Sequence, residues 1–139
     1  MRLFALPLTL VVAASFSACG SHAGSVRDAT TERLLAVADQ AAKRDGGEAK
    51  RVEAVRTTRG TAADLTGHSN QNQGEDVWVV QVSGDHFRCD LCSHPYGATA
   101  PTGDYITIVL RASDFEGTDG GLGPKTDLSA FGEVRVLRG

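Results

Sequence analysis

Residues 76–83 read DVWVVQVS, with four valines set around Trp78. Branched side chains are stiff at χ1 and fit a pleated surface, so this run is a strand. Residues 104–111, DYITIVLR, repeat the message with a period of two: Ile106, Ile108 and Leu110 alternate with Tyr105, Thr107 and Val109. A chain that commits these segments to a sheet needs another layer to cover the apolar face. Trp78 sits mid-strand between valines, which marks it as a core residue rather than a ligand platform.

Residues 28–44 supply the covering layer. Leu34, Leu35, Ala38, Ala41 and Ala42 form one apolar stripe at the helical period. Ser25 and Asp28 form a loose capping pair before it, and Asp45-Gly46-Gly47 stops it. Two further strands are expected, at 50–59 (KRVEAVRTTR) and 132–138 (GEVRVLR). The glycine-rich and polar stretches between the strands read as connections, among them 117–126, GTDGGLGPKT. The expected fold is α+β: one N-terminal helix on a roughly four-stranded antiparallel meander, in a single domain spanning 28–139.

The first residues have a different purpose. Met1-Arg2 is a short positive head. Residues 3–16 form an apolar run containing Pro7, shorter than the roughly 20 residues a spanning helix needs. This is the layout of a secretory signal peptide. It ends in Phe16-Ser17-Ala18-Cys19, which resembles a bacterial lipobox with Phe where Leu is usual. That resemblance implies cleavage before Cys19, lipid on its sulfur, a signal peptide over 1–18 and a tether over 19–27. The alternative is ordinary signal-peptidase cleavage nearby, which leaves Cys19 a free thiol. More than one acyl chain gives stable anchoring where a single chain does not.

Loss of residues 1–18 removes Arg2 and leaves the chain one unit more acidic than the −3 of the full sequence. Without a cluster of Lys and Arg, it is a poor electrostatic match for nucleic acid. The expected partners are the membrane, through the lipid, and a protein or peptide.

With Cys19 lipidated, Cys89 and Cys92 remain, in HFRCDLCSH (86–94). In an oxidising compartment a pair of cysteines defaults to a disulfide. Positions i and i+3 lie roughly 10 Å apart on a strand but within about 7 Å across a turn, so a bridge requires a turn at Asp90-Leu91. The metal reading requires His86, Cys89, Cys92 and His94 to converge, and their spacing matches no zinc pattern with a second ligand pair. The redox reading lacks the helix that lowers a thiol pKa, because SHPYGATAPTG follows. A structural bridge is therefore expected, with the two histidines as bystanders and no cofactor. His22 and His68 lie in polar segments with no partner at ligand spacing.

Other catalytic patterns fail. In GTDGGLGPKT, Pro124 separates Gly123 from Lys125, so no phosphate loop forms. Asp114, Glu116, Asp119 and Asp127 do not have EF-hand spacing. No G-x-S-x-G elbow occurs, and His68 beside Ser69 is adjacency rather than a catalytic geometry. No constellation points to an enzyme.

From Val77 to Val136, the pattern W-V-V-x-x-x-G, then a Pro/Gly loop, a strand and Asp-Leu-Ser-x-x-Gly-x-Val resembles a group of small exported actinobacterial proteins of unknown function. Their helix-plus-sheet shape is similar to the PepSY and cystatin-like architectures. The resemblance implies a binding or inhibitory module in the cell envelope and carries no catalytic residue across. The alternative is a thiol or metal module centred on Cys89 and Cys92.

Overall fold

A computed structural model describes residues 28–66 and 72–139. The order is α1 (Ala29–Arg44), β1 (Arg51–Thr58), α2 (Arg59–Thr66), β2 (Asp76–Arg88), β3 (Thr102–Arg111), β4 (Gly117–Gly123), a 3₁₀ helix (Leu128–Phe131) and β5 (Val134–Arg138). The strands make one sheet in the order β4-β3-β2-β1-β5, with every pairing antiparallel. This is the expected α+β class, with one main helix on an antiparallel sheet.

The capping of α1 differs in detail from the expectation. Asp28 itself is the N-cap, with extended backbone and a carboxylate that accepts from the Thr31 backbone N–H at 2.7 Å. Ser25 lies outside the described residues. At the other end Gly46 takes a left-handed φ of 76°, and Lys43 and Arg44 sit where the helix dipole favours cations. Leu34, Leu35, Ala38, Ala41 and Ala42 are all buried against Val52, Ala54, Trp78, Val80, Val82, Phe87, Ile106, Ile108 and Leu110. Three small alanines let the helix approach the sheet closely.

The sheet has five strands rather than four. The additional strand, β4, occupies 117–123, which the sequence presents as a loop. Four of its seven residues are glycine, so local propensity argues against a strand. Pairing with β3 overrides it, in register from Tyr105↔Gly123 to Val109↔Asp119. Gly120 permits the close approach, since a Cβ there would stand 3.0 Å from the Thr107 carbonyl oxygen. β1 to β4 form a meander, but β5 returns beside β1.

That return builds a second core. Val55, Val77, Val79 and Val109 face away from α1 and pack with Ala62 of α2 and Leu128 of the 3₁₀ helix. The helix α2, expected as the end of a strand and a loop, exists because Ala62 and Leu65 cover this face. The Thr58 hydroxyl also accepts from the Thr61 N–H at 3.3 Å. Gln81, buried on the same face, pairs its carboxamide with the Thr126 backbone. Its nitrogen donates to the carbonyl at 3.2 Å and its oxygen accepts from the N–H at 2.7 Å, in the orientation these neighbours dictate. This contact holds the crossing segment between β4 and the 3₁₀ helix.

β2 runs five residues past Ser83, through an irregularity in its pairing with β3 between Ser83 and Phe87. A Cβ at Gly84 would collide with the Glu48 carbonyl and the Phe87 ring. His86 sits in the left-handed region at φ 53°. The bulge turns Phe87 inward, where it is fully buried beside the C-terminal end of α1.

Candidate functional site: a groove between the helix and the outer strands

Cys19, His22, His68 and Ser69 lie outside the described residues. Cys89 and Cys92 are at disulfide distance, their Cα atoms 5.3 Å apart across a turn at Asp90-Leu91. The Cys92 N–H donates to the Cys89 carbonyl at 3.3 Å, and the Cys89 N–H to Pro101 at 2.9 Å. The turn therefore springs from the end of β2 and is tied to the segment that begins β3.

The two flanking histidines do not converge on the sulfurs. His86 faces Asp104, with Nδ1 to Oδ1 at 3.5 Å, and its side chain is 91% exposed. His94 Nδ1 contacts the Cys92 carbonyl at 2.8 Å. Among the described residues no group of three or more His, Cys, Asp or Glu is placed to hold a metal.

The acidic residues considered for calcium are engaged elsewhere. Asp114 and Glu116 bind the Arg111 guanidinium at 2.7 and 2.8 Å. Asp119 meets the buried Arg59 at 3.4 Å, and Arg59 in turn holds Glu75 at 2.8 Å. Asp127 caps the 3₁₀ helix by accepting from the Ser129 N–H and hydroxyl. The hydrogen bonds from Ser129 hold its carboxyl below the usual carboxylate range.

A concavity beside α1 was not visible in the sequence. The helix α1 packs most closely on β2, with less contact to β1 and β5, and a concavity remains between it and the β3–β4 end of the same face. A groove of about 720 Å³ results. Its floor is Ile106, Ile108 and Leu110 with the bare backbone of Gly117, Gly120 and Gly121. Its wall is Val37, Gln40, Ala41 and Arg44 of α1. Such a volume suits a small ligand or several side chains of a peptide.

Phe115 closes one end. Its φ of 63° is unusual for a bulky residue, a strain of order 1–3 kcal/mol, and it places the ring at the groove mouth. The Arg33 guanidinium stands 5.0 Å over the ring centroid. At the other end Arg44 is held by the buried Asp45 at 2.9 Å, a bond that keeps the guanidinium pKa above its ordinary value. The groove is thus of mixed polarity, with buried aliphatic side chains of β3 beneath it, Thr118 and Asp119 of β4 in its lining, and Arg44 and Phe115 at its margins. Only its α1 wall could have been guessed from the sequence. Its floor depends on β4 being a strand and on the helix sitting off-centre.

No protein-family model, no curated protein and no solved structure matches the chain. None of the described helices is long and apolar enough to cross a membrane.

Proposed function

We propose that the protein is a lipid-anchored extracytoplasmic module of the cell envelope that binds its ligand non-covalently in the groove beside α1. The observation that carries the binding half is the groove itself. Glycine backbone over buried aliphatic side chains of β3, with the exposed Gln40 and the Arg44 guanidinium alongside, gives a concavity of mixed polar and apolar lining that can orient a ligand through polar contacts. The anchoring half rests on the apolar leader and on Phe16-Ser17-Ala18-Cys19. Two cysteines at disulfide distance suit an oxidising compartment, and the resemblance of 77–136 to exported proteins points the same way. A binding or inhibitory role fits a fold whose conspicuous feature is a groove rather than a cluster of reacting side chains.

The test is position-specific photocrosslinking in intact membranes. A photoactivatable residue replacing Gln40, which lines the groove, should give a discrete adduct. The same residue replacing Glu133, exposed and away from the groove, should not. Equal labelling at both positions, or at neither, refutes the groove as the binding face.

A further inference from the structure

Among the described residues β4 is an outermost strand, with β3 on one side and no strand on the other. An open edge offers a row of backbone N–H and C=O groups to any extended chain, and proteins commonly block such edges with Lys, Pro or a covering element. β4 carries no Lys or Pro, and its one charged residue, Asp119, is turned to Arg59. A Cβ at Gly121 or Gly123 would meet nothing within 4 Å. The opposite edge strand, β5, is managed differently. It is shorter, and its two arginines are tied to α1 through Asp28 and Asp39.

We propose that β4 pairs antiparallel with β4 of a second copy of this chain, joining two sheets into one. The charges flanking the strand are complementary under that symmetry. Exposed Glu116, which Arg111 of its own chain also holds at 2.8 Å, precedes β4, and exposed Lys125 follows it. An antiparallel pair brings Glu116 of one copy toward Lys125 of the other at both ends of the seam. A parallel pair would set like beside like.

The pairing also completes the groove. In one chain the groove has a single wall, α1, and is open toward β4. The second copy supplies a facing α1 on the same side of the joined sheet. Five strand spacings of about 4.8 Å separate the two β2 strands, and subtracting a helix diameter of about 10 Å leaves a cleft roughly 14 Å wide. That admits one extended peptide or one helix, lying over the outer strands of the joined sheet. What the cleft holds rests on the binding role proposed above, and membrane confinement of the pair rests on the lipid anchor proposed there; the geometry of the pairing rests on the edge. A seven-residue seam is small beside the roughly 1,200–2,000 Å² that stable interfaces bury. Confinement to one membrane raises the effective concentration that such a seam needs.

The experiment places a cysteine at Gly121, where a side chain is accommodated, in the full protein. Oxidative crosslinking is read in membranes and in concentrated detergent solution. The expected result is covalent dimer well above both the unmodified protein and Val136→Cys, an exposed position on the other edge. Gly121→Lys should weaken self-association in sedimentation roughly fivefold or more, through like charges across the seam, with an unchanged melting temperature. Gly121→Cys dimer no greater than the Val136→Cys control in both settings, or undiminished association of Gly121→Lys, overturns the pairing. Neither readout depends on ligand adducts at Gln40, so failure of the pairing and failure of the groove as a binding face are separable.

Discussion

Leu34→Ala is the sharpest probe of how α1 is held. Leu34 is fully buried and contacts the face built from Val52, Val80, Ile106 and their neighbours. Alanine is the best helix former, so the substitution leaves α1 intact or slightly favoured and removes only packing. Three methylene equivalents leave the core, at about 0.8 kcal/mol each by transfer. The cavity left under a helix packed through Ala38, Ala41 and Ala42 collapses poorly, which adds a further penalty. The expected loss is about 3 kcal/mol, within the range for buried Leu→Ala changes. In a domain of this size that lowers the melting temperature by more than about 10 °C. Urea unfolding followed by circular dichroism checks it, with an unchanged slope showing that the native state remains compact. Leu91→Ala, at a side chain 85% exposed, is the control and should stay within about 0.5 kcal/mol. A loss below about 1 kcal/mol at Leu34 would show that α1 does not cover the sheet as described.

The other expectations concern the bridge, the crossing segment and acid stability. Replacing Cys89 and Cys92 together with Ser should leave the domain folded, with a loss below the roughly 3 kcal/mol expected of a 15-residue loop, because so short a ring constrains the unfolded chain little; thermal melts with and without reductant decide it. Gln81→Leu should destabilise by about 1–3 kcal/mol, since it leaves both backbone groups of Thr126 without their partner, and hydrogen exchange should quicken at residues 124–128. The Thr31 backbone N–H and then Arg135 lower the Asp28 pKa, and Arg138 lowers that of Asp39. Because these folded values lie below the unfolded ones, the stability they confer is present above about pH 4 and is lost as pH falls through the folded values. Equilibrium unfolding from pH 7 down to pH 2 should show a flat region and then a decline, and Asp39→Asn should make that decline shallower.

Where local chemistry and tertiary structure agree, the fold was legible. The stripe from Leu34 to Ala42 and the alternation in 104–111 each name their buried face without help from elsewhere. Cys89 and Cys92 announce a turn because an extended strand would hold positions three apart too far from each other to bridge. β4 was hidden because glycine gives no local signal for a strand, and only the β3 backbone beside it makes one. The second core was hidden for a related reason. Val77, Val79 and Val109 read simply as strand residues, and the short segments that cover them, around Ala62 and Leu128, have little helical pattern of their own. The groove inherits the first difficulty, since β4 forms part of its floor, and its depth is set by where three alanines let α1 settle.

The reading of this protein as an exported, lipid-anchored module meets its most direct test in the intact mass of the chain purified from membranes. The measurement is made with and without reduction and alkylation. The proposal requires a chain beginning at Cys19, heavier than its amino acids by a diacylglyceryl group and any further acyl chain, with no alkylation of Cys89 or Cys92 until reductant is added. A retained leader, an unmodified Cys19, or two thiols that alkylate in the native protein would contradict it.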